Sequence, residues 1–202
     1  MAVLLSAGVA AADIQLPEPR MAGGIGVFDA LKLRASAPGN AFPTGAISPE
    51  ELSTLLWAAT GLNRPEKGWT VPMGMGREPY CRVYVAGAEG TFLYDWNGNV
   101  LKEISKSDIR DTFGAQSFVA KAPYVLIFVA DGKSLRAVDS ARGGEWAQVA
   151  VGAMTQNVYL AAEALNIGVR YMASLKADAA RTNLKLARND IPICILPAGK
   201  KQ

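Results

Sequence analysis

Histidine is absent from all 202 residues. That excludes Ser-His-Asp and Cys-His nucleophilic catalysis and every His-ligated zinc, iron or haem site. Cysteine occurs twice, at Cys81 and Cys194. Two thiols cannot make a four-cysteine zinc site within one chain, and they permit at most one disulfide. Each reads as a small buried hydrophobe in a strand. A strong charge imbalance is also missing: 21 Lys and Arg face 18 Asp and Glu, a net charge of +3, with no basic stripe to meet a nucleic acid. No membrane span is expected, because the apolar N-terminal stretch is too short to cross a bilayer. Repeats, low-complexity segments and linkers are lacking as well.

What is present suits one compact domain. Half the residues are hydrophobic and 19% are charged. Residues Ala2–Ala12 are small or apolar, and Ala10-x-Ala12 before Asp13 fits a signal-peptidase site. The expectation is an export-signal remnant over 1–12 and a single domain over 13–202. The competing reading is a short N-terminal helix packed on the domain. An exported protein would be periplasmic or otherwise outside the cytoplasm, where a Cys81–Cys194 disulfide would be chemically allowed.

Along the chain, V-F-D-A-L-K-L at 27–33 has weak helical spacing. Ser48-Pro49-Glu50-Glu51 is a helix start, with Ser48 as cap, Pro49 at N1 and Glu51 completing a capping box. Residues 82–104 alternate as short antiparallel strands around an Asn97-Gly98 turn. A helical piece is expected from Ser107 to Phe113. The run P-Y-V-L-I-F-V-A at 123–130 reads as a strand covered on both faces. Glu145 to Leu165 is a long, central, buried helix, 178–187 a short amphipathic one, and 191–196 a last buried strand. The fold class is therefore α+β, a mixed, mostly antiparallel sheet flanked by helices.

Without histidine or paired thiols, the chemistry left to the chain is that of backbone, cations, carboxylates, hydroxyls and aromatics. Such an inventory suits holding a phosphorylated organic cofactor that brings its own reactivity. Four stretches carry a resemblance: A-L-K-L-R-A-S at 30–36, L-S-T-L-L-W-A-A-T-G-L-N-R-P at 52–65, P-M-G-M-G-R-E-P-Y at 72–80 and T-Q-N-V-Y-L-A-A-E-A-L-N-I-G at 155–168. Together they resemble the FMN-dependent nitroreductase family, especially its shorter branch related to the azoline-oxidising dehydrogenases.

The resemblance implies an intertwined homodimer with FMN at each of two subunit boundaries. Electrons would pass from NAD(P)H, or from a redox protein, through the flavin to a small organic substrate. Arg34 and Ser36 would hold the flavin phosphate, with Lys200 and Lys201 helping from the C-terminal end. The loop containing Met73, Gly74, Met75, Gly76 and Glu78 would line the ring. Ala173 and Ser174 lie where the family presents backbone N–H groups toward flavin N5. No side chain is singled out as a catalytic acid or base.

Residues 72–80 depart from the family pattern Pro-Ser-Ser/Ala-x-Asn-x-Gln-Pro-Trp. Pro72 and Pro79 remain, but Met73, Gly74, Gly76 and Glu78 replace the hydrogen-bonding positions, and Tyr80 stands for Trp. That loss keeps open a second reading, a nitroreductase fold that has lost flavin and serves as a binding or scaffold protein. A minor third is a copper(I) binder using Met73, Met75 and Cys81.

Overall fold

The computed structural model describes residues 13–64, 68–74, 77–139 and 141–202. The expected export signal over 1–12, and Met75 and Gly76 of the loop, lie outside the described residues. The first elements among the described residues are β1 (Ile14–Gln15) and α1 (Val27–Leu33). Helix α2 (Pro49–Thr60) starts as its sequence dictates. Ser48 Oγ accepts from the Glu51 N–H and the Glu51 carboxylate accepts from the Ser48 N–H, closing the capping box. It ends at Gly61, where a Cβ would lie 2.3 Å from the Trp57 ring.

Strands β2 (Cys81–Gly87), β3 (Gly90–Asp95) and β4 (Val100–Ser105) form the expected meander. The expected helix over 107–113 is instead a single 3₁₀ turn at Arg110–Thr112. Here side chains take over the backbone groups: Thr112 Oγ1 donates back to Ile109 O at 2.7 Å, and Arg110 reaches Asp108 and Ala122 O. After α3 (Phe118–Lys121), β5 (Tyr124–Ala130) leads into α4 (Gly132–Val138), which Asp131 caps through the N–H groups of Lys133 and Ser134. Then come α5 (Gly143–Ala164), β6 (Ile167–Val169), α6 (Ala177–Asn183) and β7 (Ile191–Lys200).

The strands of the described residues form one seven-stranded sheet in the order β1-β4-β3-β2-β5-β7-β6. Each of these pairings is antiparallel. Strand β5 is central and splits its side chains between two cores. Leu126, Phe128 and Ala130 face α2 and α5, while Val125, Ile127 and Val129 meet Phe42, Phe113, Met172 and Leu184 on the other side. Burial on both faces is why that segment reads as an unbroken apolar run. Helix α5 packs against α1, α2, α4 and the sheet, so it is the central helix that its composition indicates. No helix among the described residues is long and apolar enough to cross a membrane.

Cys81 and Cys194 are free and buried, on β2 and β7, with β5 between them. Two strands away is about 9–10 Å, beyond the reach of a disulfide. Both behave as core residues in strands.

Candidate functional site

A cleft of about 450 Å³ opens where the segment after α1 crosses the C-terminal end of α5. Its walls include Ser36, Phe42, Pro43, Glu163, Gly168 and Lys201. Segment 34–37 is pinned there by the sheet: the Ala37 N–H donates to Val169 O at 2.9 Å, and the Arg170 guanidinium donates to Ala37 O at 2.9 Å. Gly168 is required by close approach, since a Cβ there would lie 2.5 Å from Pro43 Cγ.

Two of the residues expected at a phosphate meet at this cleft, Ser36 and Lys201, and a third, Arg34, stands beside Ser36. Ser36 Oγ lies 2.8 Å from the hydroxyl of Tyr159, which also accepts the Tyr171 N–H at 2.7 Å. The Arg34 guanidinium sits 5.2 Å over the Tyr159 ring. That ring therefore orients both the cation and the hydroxyl.

Lys200 is placed differently. Its ammonium is bonded to Glu51 and, at 2.7 Å, to Leu165 O, joining the end of β7 to the start of α2 and the end of α5. Burial works to raise the Glu51 pKa, but the Lys200 ammonium and the Ser48 N–H outweigh it, and the carboxyl is held below the usual range. Lys200 thus acts as a structural tie. Lys201 reaches the cleft, paired to Glu163 at 2.7 Å. Ala173 and Ser174 are exposed in a bend just after Met172, whose backbone pairs with Ile195.

The 72–80 loop lies elsewhere. Met73 is buried in the main core, Glu78 is exposed, and a Cβ on Gly74 would lie 3.0 Å from the ring of Trp146 in the first turn of α5. The Gly74 N–H is already taken, donating to the Tyr80 hydroxyl at 3.2 Å. Trp146 and Glu163 stand 17 residues apart on one helix. The loop and the cleft are thus roughly 25 Å apart within one chain at 1.5 Å per residue. The thiol of Cys81, pushed up to about 12 by burial, is not poised as a thiolate ligand for a soft metal.

Tyr159 and Glu163 escape a reading by motif, although both fall inside the quoted helix stretch. Their signal is spacing: residues four apart project from one face of a helix, and here Glu163 lines the cleft while Tyr159 holds Ser36 in its wall.

A model described as the nitroreductase family matches residues 41–200. A protein of Methanocaldococcus jannaschii named as a nitroreductase is 29% identical over 199 residues, covering 94% of this chain and 96% of that one. The crystal structure of a protein from Ralstonia eutropha, also named as a nitroreductase, superposes with a TM-score of 0.87 at 31% identity, covering 96% of this chain and 92% of that one. At the level of fold alone, the NADPH:FMN oxidoreductase of Vibrio harveyi matches with a TM-score of 0.63 at 17% identity, covering 87% of this chain and 69% of that one. Matched over most of its length in both sequence and fold, the chain belongs to the nitroreductase family.

Proposed function

We propose that the protein is an FMN-dependent oxidoreductase acting on a small organic substrate. The observation that carries this reading is the meeting of Ser36 and Lys201 at one cleft, from the two ends of the chain, with Arg34 held next to Ser36 by Tyr159. A guanidinium, a hydroxyl and an ammonium are the donors that a phosphate monoester requires. The residues therefore fit the phosphate end of the cofactor. When bound, FMN supplies two-electron redox chemistry. The chain's own task is to hold and orient it. Tyr159 keeps Ser36 in place, and whenever the phenol is the donor of that bond the serine proton is free for a phosphate oxygen. The mostly apolar walls of Phe42, Pro43 and Gly168 exclude water beside it.

The working unit is a homodimer. The ring-lining loop stands too far from the cleft of its own chain to meet the same flavin, so a second copy must bring it. Exposed apolar side chains on α1 support this: Phe28 is 83% exposed, and Val27 and Leu31 on the same helix are exposed as well. Electrons would come from NAD(P)H or, if the protein is exported as the 2–12 segment suggests, from a redox protein.

One observation favours the second reading, a fold that has lost flavin. The loop offers the ring no amide side chain, and the Gly74 N–H is spent on Tyr80. The experiment is to purify the full chain without added flavin, record its visible spectrum and titrate FMN. Flavin absorption or saturable quenching, followed by NAD(P)H-dependent reduction of a nitroaromatic probe, supports the enzyme. A colourless protein that ignores FMN supports the binding or scaffold role. Recovery of an N-terminus near Asp13 from the periplasmic fraction tests export.

A further inference from the structure

Lys201 does not meet the cleft as an uncompensated cation. Its Nζ donates to Glu163 Oε2 at 2.7 Å, with the Glu163 side chain 9% exposed and that of Lys201 36%. The carboxylate is therefore set in the wall and the ammonium nearer the mouth. The backbone of Lys201 is clamped: its N–H donates to Asn166 O at 2.9 Å, and its carbonyl accepts from Asn166 Nδ2 at 3.4 Å. Only the flexible stem of the lysine can turn from one anion to another. Lys200, the other candidate cation, is held by Glu51. Among the described residues, Arg34 makes no ion pair. Of the three cations expected at a phosphate, Arg34 is thus the one without a carboxylate partner among the described residues.

We propose that Glu163 sets the anion affinity of this cleft. Its carboxylate cancels Lys201, competes with a phosphate for that ammonium and repels the phosphate itself. The cofactor is consequently held more weakly and exchangeably than the cations of the cleft would hold it without Glu163. The proposal rests on reading the cleft as the phosphate end of a flavin site. It concerns binding, and Glu163 is here an affinity-setting residue with no part in electron transfer.

The test uses the full chain and two probes, FMN and riboflavin, each titrated while flavin fluorescence is followed. Four proteins are compared: wild type, Glu163→Gln, Lys201→Met and the double variant. Glutamine keeps the length and the acceptor while removing the charge. The net charge of the pair then runs 0, +1, −1 and 0. FMN affinity should rise about tenfold or more in E163Q, fall about tenfold or more in K201M, and return to within about threefold of wild type in the double variant. Riboflavin affinity should stay level across all four. The return in the double variant separates charge from packing damage. If wild type binds FMN but the four FMN affinities agree, or if riboflavin follows FMN, the proposal is overturned and the flavin reading stands. If none of the four binds either flavin, the flavin reading falls and the proposal falls with it.

Discussion

Ser36 Oγ and the hydroxyl of Tyr159 lie 2.8 Å apart, joining the segment after α1 to the middle of α5 across 123 residues of sequence. The same tyrosine accepts the Tyr171 N–H and lies under the Arg34 guanidinium. One phenol thus positions both Ser36 and Arg34, the two groups proposed to meet a phosphate. Tyr159→Phe leaves the Tyr171 N–H without its acceptor and Ser36 without its partner. It should cost about 1–2 kcal/mol of stability, seen in urea unfolding, and weaken FMN several-fold while sparing riboflavin.

Among the described residues, Arg34 has no carboxylate partner. Arg34→Ala should lower FMN affinity by about 10–100-fold, the worth of a charge-assisted hydrogen bond. Lysine at this position should restore only part of it, since a point charge cannot reproduce a planar fork stacked on an aromatic ring. Equal FMN binding by wild type and R34A would remove Arg34 from the site.

The Lys200–Glu51 tie gives stability a defined acid dependence. Burial tends to raise the Glu51 carboxyl, and the bonds from Lys200 and Ser48 overcome this to lower it. A lowered folded-state value means that the unfolded state takes up protons first as the pH drops. The contribution is then present in full above the ordinary carboxylate range and is lost as the pH falls through and below it. Glu51→Gln keeps the capping box but not the charge. It should destabilise by about 1–2 kcal/mol at neutral pH, and the difference from wild type should shrink on acidification below about pH 4. Parallel unfolding curves at pH 7 and pH 3.5 check the sign.

Phe28 projects from α1 into solvent in the single chain, so replacing it cannot open a cavity. On the proposed dimer, Phe28→Glu should leave the monomer folded, shift light scattering from dimer to monomer, and abolish ring-dependent flavin quenching by separating the two proposed half-sites. A variant that stays dimeric with unchanged quenching would remove α1 from the interface.

The thiols should be silent in the native protein. Burial pushes Cys81 up to about 12 and raises Cys194 further, while β5 separates them. A thiol reagent at neutral pH should titrate neither in the folded chain and both in denaturant, without prior reduction.

Much of this architecture was legible locally. Ser48-Pro49-Glu50-Glu51 names its own cap, because a capping box needs only residues three apart. The 123–130 run announces a strand covered on both faces, and α5 shows its central place through the near absence of a polar face. The 3₁₀ turn at Arg110–Thr112 was not legible as such: Asp108 and Ala122 O decide it, and the carbonyl comes from a later element. At the site, sequence alone groups Arg34, Ser36, Lys200 and Lys201, because adjacent lysines look alike in sequence, whereas the fold bonds Lys200 to Glu51 and brings Lys201 to the cleft.

The sequence by itself determined the helix caps, the strand alternation, the exclusion of histidine chemistry and the family. These depend on residue type and short-range spacing. Only the tertiary structure decided that Lys200 is spent on Glu51 while Lys201 faces the cleft with Glu163 beside it, that Tyr159 lies beneath Arg34, and that the 72–80 loop stands at the far end of α5. Ion pairs and site membership depend on which distant segments the sheet and α5 bring within a few ångströms, and neither composition nor local spacing carries that information.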